Sequence, residues 1–317
     1  GSLTFTVTDN TVYIVGGSYG NNAYEVILRP GTIVQCNGNL GVMDPDLGIP
    51  WDTWANRFSG GRVVLQDPVR NVFRSAWGHF INLCEPVSGG GLQVEKDMRL
   101  ILGSDANTFT NGVVVSDTAR LVITRANAVP SAGAPVVLKD NAYLQFKDST
   151  KAYELPEVIC QGVTNHLRGA MDYIWPETGT TGSQKYANLT FTNNVTVEVS
   201  TNALVEAFKG FGTLLGGNGF RIGASWTVDI AEAVTGSRLK TAGALQFADT
   251  AAIIISGTAK PPAGTRSYVI AEAEGGVTGL GTRSFKSADG LWCAAAGTDG
   301  KTVVATYLPP GTLVIVQ

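Results

Sequence analysis

Charge is scarce in this 317-residue sequence: Asp, Glu, Lys and Arg supply 15% of it, against roughly 25% in an average globular protein. The 23 basic and 26 acidic residues leave a formal net charge of −3, and no basic cluster of any length occurs. Nucleic-acid binding rests on a concentrated basic patch, so a nucleic-acid partner is not expected. Histidine occurs only twice, which leaves few members for a His-based triad or a His-rich metal site. No HExxH, P-loop or helix-opening GxGxxG is present, Gly16-Gly17-Ser18-Tyr19-Gly20 precedes another strand and reads as a turn, and neither a cofactor nor a metal is expected. No apolar run approaches the ~18–20 residues of a membrane span; the longest, such as Ala251–Ile255, are strand-sized. The chain opens on Gly1-Ser2 without a start Met, as a processing scar would, so a missing leader does not argue for a cytosolic origin.

The four cysteines, Cys36, Cys84, Cys160 and Cys293, lie far apart and form no CxxC. Four cysteines allow about three pairings, among which spacing cannot choose. Buried free thiols are the simpler expectation, with Cys36–Cys84 the pair favoured if a bridge forms.

Glycine, by contrast, is abundant at 39 residues, and short β-prone runs recur between Gly, Asn, Asp and Ala. The clearest stretch holds Gly112–Val115, Ala119–Ile123, Ala134–Leu138 and Ala142–Phe146. Strands this short cannot bury a face alone; they stack along an axis or pair across a sandwich. A strand–turn–strand unit recurring every ~20–25 residues matches a solenoid coil, and few Asn-Gly hairpin steps occur. The predicted fold is therefore all-β: a right-handed parallel β-helix, with a β-sandwich pair as the alternative. One elongated domain over 1–317 is expected, with irregular insertions at 36–91 and 150–186. Short helical pieces are predicted at Asp52–Phe58, where Asp52 would cap, and at Asn202–Phe208. Leu3–Val7 and Leu313–Val316 read as unpaired end strands open to self-association.

Residues Gly112 to Phe146 resemble the degenerate coil repeat of bacterial autotransporter passenger domains. Gly243–Ala251 and Leu308–Val316 resemble the ends of large surface β-helix proteins. The resemblance covers about half of the chain and carries over no catalytic residue. It implies an extracellular or bacterial cell-surface location and an adhesive, structural or carbohydrate-related role. Other protein subunits or surface glycans would then be the partners.

Two irregular stretches concentrate the residues suited to binding. Trp51, Trp54, Trp77, Tyr173 and Trp175 could form a carbohydrate- or protein-binding surface if they project from one side. Asp44, Asp46 and Asp52 lie near Trp51 and Trp54, a combination that suits a polysaccharide lyase or glycoside hydrolase, where carboxylates flank the scissile bond. Oxygen ligands at Asp44 and Asp46 also suggest Ca²⁺, but the spacing falls short of a known loop, and no metal site is assigned. His79, among aromatics, reads as a packing residue, and His166 as an exposed loop residue. A structural or adhesive protein without catalysis is the leading expectation. A polysaccharide-active enzyme or a carbohydrate-binding module is the alternative.

Overall fold

The structure is a computed structural model that describes residues 11–14, 24–28, 30–36, 55–58, 61–75, 80–83, 86–125, 127–130, 135–146, 154–155, 157–168, 183–199, 202–216 and 219–309. Among them the strands form three sheets, of 14, 13 and 4 strands, here sheets A, B and C. The chain visits the sheets in turn. From Gly61–Leu65 in sheet C it passes to Asn71–Ser75 in A and Phe80–Leu83 in B, then returns through Val87–Gly89, Leu92–Glu95 and Arg99–Leu102. Neighbours within a sheet therefore come from successive coils, and they run parallel. That is a parallel β-solenoid, and it excludes the sandwich, whose sheets are antiparallel. Hydrogen bonds between adjacent coils join residues 20, 21, 22 or 23 positions apart.

Side-chain alternation explains why the coils stack. In Leu92–Glu95 the first and third residues point inward and are fully buried, while Gln93 and Glu95 face out. Register then builds continuous inner columns. One in sheet A runs Leu92, Val113, Val136, Val158, Leu189, Phe208, Trp226, Ile253. One in sheet B runs Ile81, Leu100, Leu121, Leu144, Leu167, Val199. Sheet C ends at Thr108–Phe109. Farther along, long strands such as Ser183–Phe191, Asn202–Lys209 and Gly219–Asp229 take over, and aromatics fill the interior. There Phe208 packs edge-on against Phe191 at 5.0 Å and Phe220 at 5.1 Å.

Four of the corners between sheets A and B follow from two consecutive left-handed residues. The pairs are Lys96-Asp97, Asp117-Thr118, Asp140-Asn141 and Asn193-Asn194, all with φ between 48° and 64°. Asp and Asn tolerate this region because a short polar side chain can bond locally. The corners also bond to one another: Asp97 N donates to Asp117 O at 3.2 Å, Thr118 Oγ1 donates to Asp97, and Val163 N donates to Asp140 Oδ1 at 3.2 Å. At the corner between sheets C and A, Asp67 accepts from Val69 N at 2.9 Å and from Arg70 N at 3.1 Å. Those two bonds hold its carboxyl below the ordinary value.

Several sequence expectations need revision. The intervals 36–91 and 150–186 are not simply insertions: Ala55–Phe58, Gly61–Leu65, Asn71–Ser75, Phe80–Leu83 and Val87–Gly89 are coil strands, as are Val158–Gln161 and Thr164–Arg168. Coils in both intervals are nevertheless lengthened: Ile33 pairs with Val72 across 39 positions (72 − 33), and Thr192 and Cys160 are bonded across 32. Asn202–Phe208 lies in a strand rather than a helix, because Ala203, Val205 and Phe208 extend the inner columns. Ala55–Phe58 likewise pairs as a strand with Phe80–Leu83. The helix observed is a single turn at Ile230–Val234, capped by Asp229, whose Oδ1 accepts from Ala231 N at 2.9 Å. The end strands Leu3–Val7 and Leu313–Val316 lie outside the described residues.

Gly90 tests how closely the coils approach. A Cβ there would stand 1.7 Å from the carbonyl oxygen of Asp67 in the preceding coil. Backbone cannot yield by that amount without breaking the corner, so Gly90→Ala is expected to destabilise the protein by at least ~2 kcal/mol. Urea unfolding followed by circular dichroism measures it, and a midpoint equal to wild type would contradict the packing.

Candidate functional site

Parallel register aligns outward side chains as strictly as inward ones. On sheet B the first outward position of successive coils is Arg99, Arg120, Tyr143, His166, Glu198. Four of these make one continuous row. The Arg120 guanidinium lies 4.4 Å above the Tyr143 ring centre. Tyr143 and His166 stack face to face, with centroids 4.0 Å apart and planes 6° from parallel. His166 Nδ1 then meets Glu198 Oε2 at 2.8 Å. Rungs separated by ~4.8 Å place flat side chains at stacking distance, so the row follows from register alone. It is cationic at one end and carboxylate at the other.

The next outward position on the same strands is buried, although it faces away from the solenoid core. Ile101 and Val122 are fully buried, and Gln145 is 2% exposed. This flank of the row is therefore covered. Gln145 Nε2, a strong donor, has no hydrogen-bond partner there. Such a group costs about 1–3 kcal/mol in lost solvation.

Sheet A presents a different outer face. Ile33, Val72, Gln93, Val114, Val137, Ile159 and Thr190 form a half-exposed ladder of mainly β-branched residues. It carries no titratable group in those seven rungs.

Searches for a matching protein-family model, a similar curated protein and a similar solved structure all find nothing. Chemistry on the fold is thus the remaining guide to function.

Asp44, Asp46, Trp51, Asp52, Trp54, Trp77, Tyr173, Trp175 and Cys84 lie outside the described residues, as does His79. Cys36 ends a sheet A strand, but its side chain is not among those described. Cys160 and Cys293 are free thiols. Burial pushes the Cys160 thiol pKa far up, which keeps it neutral and unreactive. Tyr186, beside it in the core, is raised by burial first and by Cys160 second. No group of three or more His, Cys, Asp and Glu side chains among the described residues is arranged to hold a metal ion. No helix among them is long and apolar enough to cross a membrane.

His166 is the clear departure from the sequence expectation. It is not an exposed loop residue but an 8% exposed strand residue at the centre of the row. Its register with Tyr143 and Glu198 spans 23 and 32 residues (166 − 143 and 198 − 166), and the second of these offsets passes through a lengthened coil. No fixed-period comparison would align them. A double-mutant cycle on Tyr143→Leu and His166→Leu is expected to return a coupling of about 0.5–1.5 kcal/mol in urea unfolding. Additive single effects would contradict the stack.

Proposed function

We propose that the chain is a secreted or bacterial cell-surface solenoid with a structural and adhesive role, and that it binds surface glycans at the outer face of sheet B. The observation that carries this reading is the outward row Arg120, Tyr143, His166, Glu198, in which the Glu198 side chain is 42% exposed. It supplies a guanidinium, a phenol, an imidazole and a carboxylate, the mixed donor and acceptor set that sugar hydroxyls require. The sparse charge and the autotransporter-like coil sequence at Gly112–Phe146 agree with an extracellular setting. A rigid stack of coils also holds such groups at a fixed spacing along the axis.

A second reading draws on the His166–Glu198 pair. A histidine oriented by a carboxylate is a common proton-transfer device, and Arg120 on the same row would balance a uronate carboxylate. That would make the chain a polysaccharide lyase or hydrolase.

A glycan array probed with wild type and Glu198→Ala separates these outcomes. Binding by wild type, at least tenfold weaker in the variant, is expected. Equal binding by both proteins, or no retained glycan, contradicts the adhesive reading. Release of unsaturated sugars from a uronate polysaccharide, lost in His166→Ala, would favour the enzyme.

A further inference from the structure

A parallel solenoid normally ends on a row of unpaired backbone groups, which another chain can extend. Among the described residues this one leaves the parallel pattern, and the outer edge of sheet B is a three-residue antiparallel strand, Ser284–Lys286. After Leu239–Thr241, sheet B continues through Ser267–Ala273 and then reverses: Thr302–Tyr307, Trp292–Ala296 and Ser284–Lys286 add as antiparallel strands. The reversed strands lie against Ala252–Ser256, the last strand paired to Gly219–Asp229 in sheet A. Their inner positions, Trp292, Ala294, Val303 and Ala305, are all buried. Trp292 sits between Tyr307, at 5.3 Å, and Tyr268, at 5.9 Å, and its Nε1 donates to Ala259 O at 3.1 Å. A compact turn closes the hairpin: Trp292 N donates to Ser287 Oγ at 2.9 Å and Leu291 N to Asp289 Oδ1 at 2.9 Å.

One side chain ties this unit to the coil below. Arg283 Nη1 donates to Asp249 O at 2.6 Å and to Ala251 O at 2.8 Å, and Nη2 donates to Ala248 O at 3.1 Å. The same guanidinium bonds Leu280 O at 3.2 Å and also Gly279 O. Ala248, Asp249 and Ala251 lie in the turn that leads into Ala252–Ser256. In the regular part of the solenoid, the N–H groups of a following coil bond corner and strand carbonyls, as Arg120 N does to Met98 O at 2.7 Å. Arg283 presents a planar set of donors in that place.

We infer that residues 267–309 are a built-in terminator of the solenoid, and that Arg283 is its latch, standing in for the donors of an absent next coil. Self-association of this chain therefore does not proceed end to end through this face. The inference is independent of glycan binding, because it concerns the opposite feature of the fold: an interface the chain has closed.

Arg283→Met keeps the aliphatic stem and deletes the donors. Hydrogen exchange of the peptides covering 248–256 and 284–296 is expected to accelerate at least tenfold in the variant. Sedimentation velocity should show growth with concentration in the variant but none through this end in wild type. Arg221→Met, at an exposed strand position outside the cap, should leave both unchanged. Wild-type exchange and sedimentation in Arg283→Met would overturn the inference. If that variant fails to fold, Arg283→Lys, with three donors on a compact ammonium, should fold and exchange at an intermediate rate. Exchange identical to wild type in Arg283→Lys would overturn it equally.

Discussion

Everything in this structure depends on parallel hydrogen bonding between successive coils in unbroken register. A four-residue strand buries too little on its own to offset the entropy of ordering it. Joined above and below, it becomes one rung of a column, and each inward Val or Leu packs against its equivalents on both sides. Stability then accumulates as nearest-neighbour terms along the axis rather than from one central core. The same constraint acts outward: Arg120, Tyr143, His166 and Glu198 meet only because four rungs hold them in line.

Register in turn depends on the corners. A slipped corner would move every inward residue of the next strand to the outside. The paired left-handed residues Lys96-Asp97, Asp117-Thr118, Asp140-Asn141 and Asn193-Asn194 set the direction of four steps from sheet A to sheet B, and Gly162 and Gly210 take that place at two others. Buried amides add a second check. Asn107 Oδ1 accepts from Val87 N at 2.8 Å while its Nδ2 donates to Ala128 O at 2.7 Å, so one side chain spans three coils. Asn71 plays a comparable part at another corner, donating to Gly91 O at 2.9 Å. Among the described residues this repetition is broken by the reversed strands, where the Arg283 guanidinium bonds the carbonyls of the preceding turn.

Much of the scaffold is legible in the sequence. Alternating Val and Leu runs between Asn111 and Ser149 announce stacked short strands, and the coil length of ~20–25 residues agrees with what forms. A sharper signal lies in the corners: Lys96-Asp97, Asp117-Thr118 and Asp140-Asn141 recur between a Val-rich and a Leu-rich half-coil. The intervals 36–91 and 150–186 read as irregular because Trp, Pro and Gly mask strands such as Asn71–Ser75 and Val158–Gln161. Asn202–Lys209 has helix-forming Ala, Leu and Glu, yet packing overrides propensity there. The row on sheet B is illegible in one dimension, since its members lie one coil apart at unequal offsets. The terminator hides for a related reason: parallel and antiparallel strands share the same alternation.

Paired cysteines on the outer face of sheet A test the central claim, in-register stacking of successive coils, most directly. Gln93 stands opposite Val114, and Val114 opposite Val137. Adjacent rungs lie ~4.8 Å apart, inside the range of about 4.4–6.8 Å between Cα atoms that a disulfide spans. Gln93→Cys with Val114→Cys should therefore form a bridge under mild oxidation, identified by peptide mapping. Gln93→Cys with Val137→Cys, two rungs apart, should not. A bridge in the second pair, or none in the first, would contradict the stacking on which the fold, the polar row and the cap all rest.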